Sequence, residues 1–494
     1  MFSFGLKKGL RHRMCGIWAL FGLSTHTSIH SNSSFTKIHH RGPDAWRIEF
    51  DNRVKNSCIG FHRLSIVDCL YGMQPMKLHQ YPYLSLLCNG EIYNCHRLRE
   101  QFDFKYETNC DVECILHLFA AGGVENIVKN LDGVFAFILI DAKEGRVHCG
   151  RDPYGVRPLF RLYSESGVLG VCSEAKGDSV LEILQNFHFM LSVMKSELNG
   201  NSYNLEPFPP SHFESYEIDE DGICTLLERK CYYKIGQKPA FNPLVPYEDL
   251  QKKSVTENIR TLLTASVKKR LMADRRIGCL LSGGLDSSLV AALTVKLAKE
   301  INLPYKIQTF AIGMEDSPDI IAARKVAAHI GSEHHEVFFT AEDVIQALDA
   351  VLYHLETADI TTVRASVGMY LLSRYIKEST DSTVILSGEG ADELAQGYIY
   401  FRDAPSPTDA HTESLRLLKD IYLYDGLRAD RTTSAFSLEL RVPFLDLQFS
   451  SYYLSLPEET RQPQGGVEKH LLRSAFSNTS LLPHDILWRH KEAF

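Results

Sequence analysis

Ile277-Gly278-Cys279-Leu280-Leu281 runs straight into Ser282-Gly283-Gly284-Leu285-Asp286-Ser287-Ser288, and that junction decides the fold of the C-terminal half. The first stretch predicts a buried strand, and a helix is expected through Ser288–Lys299. Glycines between them let the backbone approach an anion closely, while a helix start offers free N–H groups and a positive dipole end to phosphate. Asp286 supplies a hard oxygen ligand, suited to holding Mg2+ against phosphate oxygens. The GxxxxGK[ST] pattern of another phosphate loop, with its lysine, is missing.

Moving outward, Ile259, Leu262, Leu263, Val267 and Leu271 fall on one helical stripe before the strand, and an apolar strand is expected at Ile307–Ile312 after it. Strands alternating with helices predict a parallel sheet covered on both faces. A second apolar strand, Thr383–Leu386, leads into Ser387-Gly388-Glu389-Gly390-Ala391-Asp392-Glu393. Three carboxylates beside two glycines at a strand end suit metal binding at the carboxyl edge of such a sheet.

The N-terminal part has another texture. Residues 15 to about 175 read as short strands and turns, with the clearest hairpin at Val134–Ile140 and Arg146–Cys149 and a helix near 111–122. The change of period puts a boundary between about 220 and 250. Residues 178–205, ending in the polar stretch Ser196 to Asn204, read as an inserted surface loop or helix.

Bulk composition agrees with two soluble domains. The chain has 494 residues, 44% hydrophobic and 23% charged, too long for one ordinary core. A formal charge of -8 argues against a dominant nucleic-acid or membrane-surface role. The longest apolar run, Val134 to Ile140, falls well short of the ~20 residues that span a bilayer. Twelve cysteines, eleven of them between Cys15 and Cys231, form no CxxC pair and no zinc-ligand pattern. Reduced thiols in the cytosol are the expectation.

Ser282–Ser288 after a strand resembles the pyrophosphate-binding loop of the ATP pyrophosphatases. Glu389–Glu393, with Leu438-Glu439-Leu440-Arg441-Val442-Pro443-Phe444-Leu445-Asp446 and Glu468-Lys469-His470, resembles one branch of them, the asparagine synthetases. That resemblance implies an α/β domain with a parallel sheet of the adenine nucleotide α-hydrolase-like type. It implies nucleotide contacts from Leu280, Ser282, Gly283, Gly284, Ser287, Ile312, Ser387 and Gly388. Asp286 and Asp392 are then expected to hold Mg2+ and pyrophosphate, Glu389 to support a β-aspartyl adenylate, and Lys469 to offset phosphate charge. Asp425 matches a position near the substrate.

Met14-Cys15-Gly16-Ile17, His40-Arg41-Gly42-Pro43-Asp44, Arg63-Leu64-Ser65-Ile66-Val67 and Asn89-Gly90-Glu91-Ile92-Tyr93-Asn94 together resemble class II glutamine amidotransferases. The implied fold is an Ntn-type αββα sandwich, and Cys15 is the implied nucleophile. Asn89 and Gly90 are expected to form an oxyanion hole. Arg63 is expected to clamp the glutamine carboxylate, with Leu64, Ser65, Ile66 and Val67 around the ligand, and Asp111, with Glu91, to hold its ammonium. The domains expected are an extension (1–14), an amidotransferase (15–220), a linker (221–252) and a synthetase (253–494). The family continues beyond Phe494 with further helices and suggests a homodimer using glutamine, aspartate and ATP. An ammonia-dependent or inactive homologue is the alternative reading.

The expected mechanism makes a free α-amine on Cys15 the base for its own thiol, because an amine of pKa about 7.7–8 matches a thiol near 8.5. Protein beginning at Cys15 should therefore release glutamate from glutamine, and protein carrying residues 1–14 should not. Equal rates, with mass spectrometry showing residues 1–14 still attached, would sink the amine as base.

Overall fold

The computed structural model describes residues 15–22, 34–42, 44–68, 71–178, 196–198, 201–237, 250, 252–315 and 317–491. The N-terminal domain contributes β1 (Gly16–Phe21), β2 (Ala45–Glu49), β3 (Ser57–Arg63), β4 (Met76–Leu78) and β5 (Tyr81–Ile92). Helices α1 (Cys95–Gln101) and α2 (Glu113–Asn130) follow, then β6 (Gly133–Asp141), β7 (Arg146–Arg151), β8 (Phe160–Ser164) and β9 (Leu169–Cys172). Last come β10 (Ser196–Leu198), β11 (Asn201–Pro207), β12 (His212–Ile218) and β13 (Cys224–Cys231).

These strands form two sheets, ordered β10-β11-β8-β9-β1-β3-β2 and β13-β12-β7-β6-β5-β4. Alternation along β6 explains the sandwich. Ala136, Ile138 and Ile140 pack between the sheets with Ile17, Ala19 and Phe21 of β1, while Phe135, Phe137 and Leu139 face the core under α2. Trp18 and Leu20 of β1 turn the other way, against Phe35 and Ile38. The αββα expectation is therefore what the chain builds.

Two boundaries differ from the sequence reading. Ser196–Leu198 and Asn201–Pro207 are a hairpin on the edge of the first sheet, not a loop or helix; the rest of 178–195 and residues 199–200 fall almost wholly outside the described residues. Polar strands belong on such an edge, where one side has no partner strand. The domain also runs past 220, because β13 pairs with β12 from Cys224 to Cys231, within the stretch expected to be linker. The expected extension, 1–14, lies outside the described residues.

The C-terminal domain alternates α3 (Val255–Lys269), β14 (Arg276–Leu280), α4 (Leu285–Glu300), β15 (Gln308–Gly313), α5 (Pro318–Ile330), β16 (Glu333–Phe338), α6 (Ala341–Leu355) and α7 (Ile360–Ser379). It continues with β17 (Ser382–Leu386), α8 (Ala391–Leu394), α9 (Pro407–Asp420), α10 (Asp425–Ser434), β18 (Glu439–Arg441) and α11 (Leu447–Ser455). All five strands are parallel, in the order β16-β15-β14-β17-β18. Chain direction around the sheet reverses between β14 and β17, and a crevice opens outside the carboxyl ends at such a switch point. Both glycine–acid loops, after β14 and after β17, leave the sheet there.

Apolar side chains of both domains meet in one core: Leu64, Ile66, Val134, Tyr154 and Val156 join the cluster built on α3, α4 and β14. Asp446 fastens that junction. Its Oδ1 caps α11 through the N–H groups of Gln448 and Phe449, and its Oδ2 pairs with Arg270 at 3.0 Å and with Lys269. Lys269 in turn reaches Asp132 of the first domain at 2.7 Å. Burial alone would raise the Asp446 carboxyl, but the two cations outweigh it and hold it down at about 2.

Asp446→Ala leaves two buried cations short of a partner, so it should cost about 3–5 kcal/mol in denaturant unfolding. The sign with pH follows from the depressed value. In the wild type this contribution is complete above the unfolded carboxyl's pKa of about 3.9 and is lost as pH falls toward 2. The variant should show a correspondingly shallower loss of stability across that window.

Candidate functional site

β1 and β3 run antiparallel with Gly16 opposite His62, which brings Cys15 alongside the chain leaving β3. The Cys15 thiol donates to the Leu64 carbonyl at 3.4 Å, and the Leu64 N–H points at the sulfur from 3.3 Å. Burial pushes this thiol up to about 12 despite that N–H. It is neutral at pH 7 and needs a base to become a nucleophile.

Asn89 and Gly90 sit on β5, and the Asn89 side-chain nitrogen is buried with no hydrogen-bond partner among the described residues. Arg63 is buried and donates to the Asp68 carbonyl. Asp111 accepts the Ile92 N–H at 2.6 Å, and burial lifts its carboxyl to about 6. Glu91 also faces the domain junction. Its carboxyl lies 3.5 Å from Arg441 of the other domain, and burial together with Glu439 pushes it well above the usual range.

The Arg63–Val67 segment also faces two ways. Arg275 donates to the Ser65 carbonyl at 2.8 Å and the Asp274 N–H to the Ile66 carbonyl at 2.9 Å. Leu64 and Ile66 bury their side chains in the interdomain core, with Val67 packed against it. Side chains of these residues serve the domain junction.

At the second site, Leu280 and Ile312 share an apolar cluster with Phe310 and Ile385. The hydroxyls of Ser282 and Ser287 lie 3.0 Å apart, and Gly284 caps α4 with no side chain on the first N–H groups. Ser387 and Gly388 bring the other loop hard against this one: a Cβ on Gly388 would stand 2.8 Å from the Ser287 nitrogen and 2.9 Å from the Asp286 Cβ. Only glycine permits that approach.

Asp286 and Asp392 converge on the buried Lys469 ammonium, which lies 2.6 Å from Asp392 and bonds Asp286 directly. Lys491 reaches the same Asp392 oxygen at 2.6 Å. Burial would raise the Asp392 carboxyl, but these lysines hold it down at about 2. The Asp286 Oδ1 is buried and has no hydrogen-bond partner among the described residues. Glu389 pairs with Arg428 at 2.9 Å, which also holds Asp425 at 2.7 Å, and burial raises the Glu389 carboxyl.

Arg428 and Lys491 escaped the sequence reading. Arg428 sits three residues after Asp425, a spacing that joins side chains on a helix. Lys491 has no comparable signal, because only the folded chain carries it back to Asp392.

Residues 258–410 and 402–494 match the family described as asparagine synthase, and residues 14–207 match the glutamine amidotransferase domain. The asparagine synthetase [glutamine-hydrolyzing] of Rattus norvegicus is 56% identical over 487 residues, covering 97% of this chain and 84% of the relative. The proteins of that name from Gallus gallus and Homo sapiens are 56% and 55% identical, with the same two coverages.

Gly397 tests the geometry of the carboxyl edge. A Cβ there would fall 2.0 Å from both the Asp392 Oδ1 and the Lys469 Cε. Gly397→Ala should force that pair apart and cut ATP-dependent pyrophosphate release at least about tenfold, because small misplacements at a reacting centre are costly. Glutamate release from glutamine should be unchanged, and both are read in one coupled assay.

Proposed function

The chain belongs to the family of glutamine-hydrolysing asparagine synthetases, and we propose that its two sites divide the reaction between the residues described above. The enzyme makes L-asparagine from L-aspartate with ATP, taking the nitrogen from L-glutamine. The observation that carries the division is the separation of chemistries: a thiol with an unclaimed amide donor on one domain, and a lysine-bridged aspartate pair at a phosphate-type loop on the other.

Cys15 Sγ attacks the glutamine amide carbon and passes its proton to the α-amine. The Asn89 side chain and the Gly90 N–H hold the oxyanion, for which a buried, unpaired amide donor is suited. The protonated amine gives that proton to the amide nitrogen, which leaves as ammonia, and water then hydrolyses the thioester to glutamate and the free thiol. Arg63 takes the glutamine carboxylate and Asp111 its ammonium.

In the other domain an aspartate carboxylate displaces pyrophosphate from ATP, giving β-aspartyl-AMP. Ammonia displaces AMP from it. Leu280, Ser282, Gly283, Gly284, Ser287, Ile312, Ser387 and Gly388 receive the nucleotide, and the α4 N-terminus faces its phosphates. Glu389, fixed by Arg428, supports the adenylate, and Lys469 offsets charge on the phosphates. Mg2+ fits Asp286 and Asp392, since one Asp286 oxygen lacks a partner among the described residues and Mg2+ is usually held by one or two carboxylates plus phosphate. When bound it neutralises phosphate charge.

A homodimer in the cytosol belongs to the same reading. Eleven free cysteines among the described residues, with no disulfide, support a reducing compartment. No helix of the described residues is long and apolar enough to cross a membrane.

Two variants test the division together. Arg63→Ala should raise the glutamine KM steeply and leave ammonia-driven synthesis intact. Asp286→Ala should abolish asparagine formation from either nitrogen source while glutamate release survives. Ammonia-driven synthesis persisting in the second variant would reject the assignment of that site.

A further inference from the structure

Arg41 has no part in the chemistry above, yet it is wholly buried and aimed at the nucleophile's backbone. It ends the short turn His39–Arg41, and its Nε–H donates to the Cys15 carbonyl at 3.2 Å. Its other donors face away. One guanidinium nitrogen bonds Glu174 at 2.6 Å, Asp430 at 3.0 Å and the Ser434 hydroxyl at 3.0 Å, and the second reaches Asp430 at 3.1 Å. Asp430 and Ser434 lie on α10, in the other domain. The bidentate grip of Asp430 fixes the plane of the guanidinium and so the direction of the Nε–H.

Building on the reading of Cys15 as nucleophile, we propose that Arg41 is a positioning residue for Cys15 and that Asp430 of the synthetase domain sets its aim. Holding the Cys15 carbonyl fixes the rotation of that residue about its backbone. That rotation decides where the α-amine and Sγ stand relative to Leu64 and to the amide carbon. A shift of about 1 Å at a reacting atom can cost on the order of a hundredfold in rate. Lysine at 41 keeps the charge beside Glu174 but has no planar fork to span Asp430 and the Cys15 carbonyl at once. Asparagine at 430 removes the charge that orients the fork from across the junction.

The experiment compares full-length Arg41→Lys and Asp430→Asn with the wild type, each processed to begin at Cys15. The kcat for glutamate release should fall about 10- to 100-fold in both, with the glutamine KM within about threefold. Ammonia-driven synthesis should stay within about twofold, which also reports that each variant is folded. Asp430→Glu, which keeps the carboxylate, should recover part of the lost kcat. A rise in KM instead of a fall in kcat, an equal loss of both activities, or unchanged kcat would overturn the proposal. If one variant does not fold, the other still decides. Cys15→Ala is the separate control: surviving glutamate release there would reject Cys15 itself as nucleophile, whereas its loss leaves the Arg41 result to be judged alone.

Discussion

Charge buried between the two domains sets the terms for the rest of the molecule. Arg41 and Arg431 are fully buried, and they can be so only because Glu174, Asp430 and Glu356 neutralise them at 2.6 to 3.0 Å. Isolating one such ion costs several kcal/mol, so neither domain can present this surface to its core without the other. The apolar contacts of Leu64, Ile66 and Tyr154 add area, but the ion pairs fix the orientation in which that area is buried.

The same logic governs the carboxyl edge of the parallel sheet. Two loops that each carry carboxylates must approach within contact distance, and like charges there repel. Lys469 between Asp286 and Asp392 removes that repulsion, while glycines at 388 and 397 remove the steric obstacle. Charge compensation and the absence of side chains are both needed, and neither residue type alone would bring the loops together.

What was legible in the sequence was contiguous. The strand–loop–helix after Ile277 carries its period and its chemistry in adjacent residues, so the parallel domain and its loops could be read directly. The Val134–Cys149 hairpin was readable for the same reason. Features made by distant residues were not. Arg41 meets Asp430 across 389 positions, and no local pattern announces it. Glu91 is expected at the ligand's ammonium, and nothing near it in the sequence predicts its contact with Arg441. The strand Cys224–Cys231 was read as linker, since most of its residues are exposed and edge strands lack the apolar run that marks a central one.

Helix α10 has a further consequence. Two residues apart, about 3 Å along the axis and on different sides of the helix, Arg428 meets Glu389 and Asp430 meets Arg41. The two halves of this enzyme are consequently not interchangeable modules. A chimera that grafts a foreign amidotransferase domain onto this synthetase domain must import a cation to meet Asp430, or else strand a buried anion at the seam. Recombination between relatives is therefore constrained at a point far from either cut end, and domain shuffling has to proceed by matched pairs.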